Sequence, residues 1–100
     1  SPESRPLLVL LEKWLKSRPN NSTLMLSLGR ASLRNKLRGK AREYFESALR
    51  FSKSRELSAE ANAELARLFD HMGEHAQSAT LYGKAMEQLD HKLPDLPMPD

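Results

Sequence analysis

One hundred residues, 39% apolar and 29% charged, suit one small globular domain and argue against disorder. The absence of cysteine excludes disulfides and cysteine-based metal sites, and the longest apolar run, Leu7 to Leu11, is far too short to span a membrane. The net charge of +3 hides an asymmetry: residues 1–50 carry eleven Lys/Arg against four Asp/Glu, net +7, and residues 51–100 carry five against nine, net −4.

Taken in order, the chain predicts five helices. No signal peptide is visible, and the opening Ser1-Pro2-Glu3-Ser4 suggests a piece of a longer protein. Ser4 is placed as an N-cap and Pro6 in a first turn. Leu7, Leu8, Leu11, Trp14 and Leu15 then recur at helical spacing up to the stop at Pro19. Asn20-Asn21-Ser22 makes a turn and a cap for a helix over 22–34, with Leu24, Leu28, Ala31 and Leu33 turned inward. A third helix over 39–52 presents Ala41, Tyr44, Phe45, Ala48 and Leu49. A polar break over 52–55 follows, and Ser58 is expected to cap the fourth helix, with Glu60 in its first turn. Ala61, Leu65, Leu68, Phe69 and Met72 form its apolar stripe, and Gly73 suits the left-handed position that ends it. A fifth helix is expected over 75–89. The proline-rich segment 91–100 is expected to be extended.

An internal repeat organises these elements. Leu28-Gly29, Ala41-x3-Phe45 and Ala48 return thirty-seven residues later as Leu65-Ala66, Ser78-x3-Tyr82 and Ala85. Small residues let two helices approach closely, and the ring is expected to fill the space between them. Leu7-x3-Leu11-x2-Trp14 matches Ala41-x3-Phe45-x2-Ala48, so the first helix reads as the second half of a repeat. Its Leu and Trp, where the complete repeats carry Ala, are expected to fill the room of the absent neighbour.

Met25-x2-Leu28-Gly29-x2-Ser32…Ala41-x3-Phe45 and Asn62-x2-Leu65-Ala66-x2-Phe69…Ser78-x3-Tyr82 resemble tetratricopeptide repeats. Neither has the Trp of that pattern, and Ser32 stands at its Tyr position. The resemblance implies an all-α, right-handed superhelix of five helices. It divides the chain into a leading half repeat (5–18), repeat one (22–55), repeat two (58–90) and a tail (91–100). A narrower resemblance lies in Glu12-Lys13-Trp14-Leu15-Lys16, Arg18-Pro19, Leu26-x-Leu28-Gly29-Arg30 and Leu37-Arg38-Gly39-Lys40-Ala41-Arg42-Glu43-Tyr44. These blocks are similar to the C-terminal repeat region of the HemY family, with Arg38 where that family usually has Trp. The resemblance implies the soluble part of a bacterial inner-membrane protein associated with haem or porphyrin biosynthesis, held by an anchor outside this chain, on the cytoplasmic side.

The functional expectation is protein binding without catalysis or cofactor. No phosphate-binding loop, zinc-protease motif or nucleophile elbow is present. His71 and His75 are four apart, but Gly73 between them breaks the helix a metal pair would need, and no metal is expected. In a stacked hairpin array the first helix of each hairpin lines the concave face. That register places Leu26, Arg30, Leu33 and Arg34 on the groove wall, facing Ala63, Arg67, Asp70 and His71. Arginine forks favour carboxylates, so the expected partner is an acidic protein or peptide. A direct porphyrin carrier, with arginines pairing propionates, is the alternative. Arg34, Lys36, Arg38, Lys40 and Arg42 form a basic run that suits an anionic surface, nucleic acid or a plain solvated turn; aromatic platforms for nucleic acid are lacking. Self-association is expected through Leu8, Leu15 or Trp14 on the open edge of the first helix.

Overall fold

The computed structural model describes residues 4–90, so His91 and the expected extended tail lie outside the described residues. Five helices and no strand are found among the described residues: α1 (Ser4–Ser17), α2 (Ser22–Arg34), α3 (Arg38–Phe51), α4 (Arg55–His71) and α5 (His75–Asp90). Each helix packs against the next in sequence, and α2 also touches α4. The result is an elongated array measuring 53 × 32 × 23 Å.

Local chemistry sets the helix boundaries. Asn21 caps α2, its side chain accepting from the Leu24 N–H at 2.9 Å. The ends of α2 and α4 are built alike. Leu37 N–H donates to Ser32 C=O at 2.8 Å and Lys36 N–H to Leu33 C=O at 2.9 Å. Glu74 N–H donates to Phe69 C=O at 2.8 Å and Gly73 N–H to Asp70 C=O at 3.0 Å. These are two Schellman caps whose left-handed residues are Lys36, at φ 61°, and Gly73, at φ 82°. The repeat of thirty-seven residues is therefore visible in the backbone. The start of α4 differs from expectation. Ser54, not Ser58, is the cap, accepting from the Leu57 N–H at 3.0 Å, and Glu56 rather than Glu60 occupies the first turn. Ser58 lies inside the helix and hydrogen-bonds to the Ser52 hydroxyl at 2.7 Å.

Two apolar clusters form the core. One joins Leu8 and Leu11 of α1 to Leu24, Leu28 and Ala31 of α2. The other joins Met25 and Leu26 to Ala41, Phe45 and Ala48 of α3 and to Ala61, Leu65 and Phe69 of α4. Phe45 is completely buried. Gly29 makes that possible, because a Cβ there would lie 2.3 Å from the Phe45 ring. The second repeat has Ala66 at the equivalent position, where a ring seated like Phe45 would meet a methyl. Its aromatic, Tyr82, is 40% exposed and does not fill the seam between α4 and α5.

The first helix is also turned differently from expectation. Leu8 and Leu11 are buried, whereas Leu7 and Trp14 are exposed, Trp14 by 46%. Their counterparts in α3, Ala41 and Ala48, are completely buried between neighbours on both sides. Among the described residues helix α1 packs chiefly on α2, with Glu12 reaching Lys40 of α3, so one apolar face is covered while Leu7, Leu10 and Trp14 stay exposed. The large side chains do not fill the missing neighbour's room. They line it.

Candidate interaction groove

The facing surfaces of α2 and α4 form a groove because α4 crosses α2 in addition to packing on α3. An open cleft of about 270 Å³ in this groove is lined by Leu33, Arg38, Glu64, Arg67, Leu68 and His71. Leu33 and Leu68 supply apolar surface. Arg38 and His71 stand at its edge, both exposed.

One carboxylate organises the polar wall. Glu64 is buried, and Arg30 Nε donates to its Oε2 at 2.8 Å. Arg67, at the repeat position equivalent to Arg30, donates to Oε1 of the same carboxylate. Arg30 also reaches Glu60 at 3.4 Å. Burial pushes the Glu64 carboxyl up, but the hydrogen bonds and charges of Arg30 and Arg67 outweigh it and hold the group below the usual carboxylate range. The hydrogen bond that Arg30 donates to Glu64 raises the Arg30 guanidinium in turn, so both stay ionised at neutral pH. The cluster ties α2 to α4 across thirty-four residues of chain.

The expected groove residues divide three ways. Leu33, Arg67 and His71 line the cleft. Leu26 is 4% exposed and belongs to the core beneath it, because α4 covers that side of α2 and brings Ala61 and Leu65 against the same cluster. Arg30 is engaged by Glu64 and Glu60, and Ala63 is half-buried. Arg34 is exposed in the last turn of α2. Asp70 meets His75 Nδ1 at 2.6 Å across the α4–α5 turn. Glu64, Leu68 and Arg38 were not expected on the wall. The recurrence of arginine at 30 and 67, with Glu64 three residues before the second, is the pattern that marks the cluster.

The basic run does not converge on one patch. Arg38 opens α3 and lines the cleft. Lys40 turns the other way and pairs with Glu12 of α1 at 3.1 Å. Arg42 pairs with Glu46 at 3.5 Å and lies over the Phe69 ring, 4.9 Å from its centroid. Lys36 occupies the left-handed cap. Neighbouring residues on a turn and a helix point in different directions, so density of charge in sequence does not become density on a surface.

Among the described residues no group of three or more His, Asp or Glu is placed to hold a metal ion, and no described helix is long and apolar enough to cross a membrane. The cleft presents apolar contact, two cationic side chains and an imidazole beside a buried anion that is already paired. Such a surface can hold an extended or helical segment by contact and charge. It brings together no nucleophile and base. No model of a known protein family matches this chain, and no curated protein matches it.

Proposed function

We propose that the chain is a non-catalytic protein-binding module whose helix pairs stack as a right-handed, tetratricopeptide-like superhelix. The α2–α4 groove holds a peptide segment that carries a carboxylate next to an apolar side chain. The observation that carries this reading is the make-up of the cleft: Leu33 and Leu68 beside Arg38, Arg67 and His71. The buried Glu64 is neutralised by its own arginines, so the wall adds no net repulsion toward an acidic ligand. The resemblance of the blocks around Trp14, Leu28 and Ala41 to the HemY family extends the proposal to a scaffold within a membrane-anchored protein of haem or porphyrin biosynthesis.

Selection from a random peptide library tests the groove. Bound peptides are expected to be rich in Asp or Glu beside an apolar residue. Arg38→Glu, at an exposed position, is expected to weaken them about tenfold or more. Binding left unchanged by Arg38→Glu, or no selected binder, removes the groove from the account. A scaffold, unlike a carrier, also leaves the absorption band of added haem unshifted.

A further inference from the structure

The cleft in the α2–α4 groove collects cationic heads from two helices. Arg38 reaches it from the first turn of α3, and Arg67 and His71, one turn apart, reach it from α4. All three residues are exposed, so their nitrogens can meet a ligand. Leu33 of α2 and Leu68 of α4 add apolar surface to the same wall. These residues all belong to the three central helices, and neither end of the array contributes to the cleft.

The acids around the cleft are already matched. Glu64, the one acid lining it, accepts from Arg30 and Arg67, and Arg30 also takes Glu60. Asp70 meets His75. Arg67 donates to Glu64 through Nη2, which leaves its Nε and Nη1 for a ligand. Arg38 takes part in no ion pair among the described residues. The first turn of α3, which carries it, holds no acid to offset its charge. One whole guanidinium, the free edge of another and an imidazole therefore face the same space.

That supply of donors exceeds what one carboxylate uses. A carboxylate has two oxygens in one plane, and a single arginine fork satisfies it. A phosphomonoester carries a charge of about −1.5 to −2 at neutral pH and three acceptor oxygens that point in different directions. Guanidiniums approaching from different helices, and an imidazole that donates an N–H in either protonation state, suit the second shape. We infer that the anion this cleft takes is a phosphomonoester borne by the bound peptide, a phosphoserine or phosphothreonine with an apolar residue beside it, in preference to a carboxylate. Arg38 and the free edge of Arg67 hold two of the phosphate oxygens, His71 donates to the third, and Leu33 and Leu68 hold the apolar neighbour. This preference rests on the α2–α4 groove being a peptide site.

Peptide libraries with one fixed central residue test it on the 100-residue chain. The fixed residue is phosphoserine, Asp or Ser, the flanks are random, and the affinities of retained sequences are read by fluorescence anisotropy. Phosphoserine peptides are expected to bind about tenfold more tightly than the same sequences with Asp. The ratio of the two affinities is the readout, because general damage to the groove weakens both alike. Arg38→Lys keeps the charge but not the fork, and is expected to lower that ratio to about threefold. Arg38→Ala and His71→Gln, also at exposed positions, are expected to lower it too, with circular dichroism verifying that each variant is folded. A ratio of one or less in the wild-type chain overturns the preference and leaves the carboxylate site standing. No retained peptide in any library overturns both. A ratio that Arg38→Ala and His71→Gln leave unchanged also overturns the preference, since the phosphate would then be held elsewhere. Inorganic phosphate that competes as well as the free phosphopeptide would mean a free-anion site, and overturns the part assigned to the peptide.

Discussion

Single positions show how narrow the tolerances in this array are. Gly29 lies inside α2, where alanine would ordinarily add about 1 kcal/mol of helix stability. Here the added methyl would meet the Phe45 ring at 2.3 Å, and that ring is held on all sides by Ala41, Ala48, Leu65 and their neighbours. Gly29→Ala is therefore expected to destabilise the chain by about 2 kcal/mol in urea denaturation, with Phe45→Leu in the same chain restoring part of the loss. A stability equal to or above wild type would mean that the ring is free to move. The pairing of a small residue with a ring was legible at 29 and 45 from spacing alone. The fate of Tyr82 was not: the same spacing leaves it exposed, because Ala66 stands in place of the glycine and α5 has no described helix beyond it.

At the scale of the element, what begins and ends a helix is local, and most of it could be read from the residues. Asn21 and Gly73 act as expected. The unexpected case is Lys36, which takes at φ 61° the place that Gly73 takes at φ 82° in the next repeat. A side chain in that region costs roughly 1–2 kcal/mol, and glycine removes the cost while adding freedom to the unfolded chain. Lys36→Gly is expected to raise stability by about 0.5–1 kcal/mol, read as a higher denaturation midpoint with an unchanged slope. The other departure, Ser54 capping α4 in place of Ser58, adds one turn to that helix. Both serines are acceptable caps by residue type. The choice fell to Ser54 because the segment 55–58 gains Leu57 as a partner of the core when helical.

For the whole molecule, the Arg30–Glu64–Arg67 cluster joins elements that are distant in sequence. The Glu64 carboxyl titrates lower in the folded chain than in the unfolded one. Its stabilisation is therefore complete above the unfolded carboxylate range and is lost as pH falls through the folded value. Glu64→Gln is expected to lower stability at neutral pH by about 2 kcal/mol and to flatten the acid side of the stability profile. Thermal melts of both chains between about pH 7 and about pH 3 provide the check, and parallel curves would show that Glu64 does not couple α2 to α4. The sequence by itself determined the five helices, their caps within a few residues and the period of thirty-seven, because helix formation and termination depend on residues close along the chain. Only the tertiary structure decided which faces are covered. Burial depends on having a neighbour on each side: Leu26 has one and leaves the groove, while Trp14 and Tyr82 have no covering helix among the described residues and are exposed. The same reason hid the partner of Arg30, since a carboxylate thirty-four residues away is brought within hydrogen-bonding distance only by the crossing of two helices.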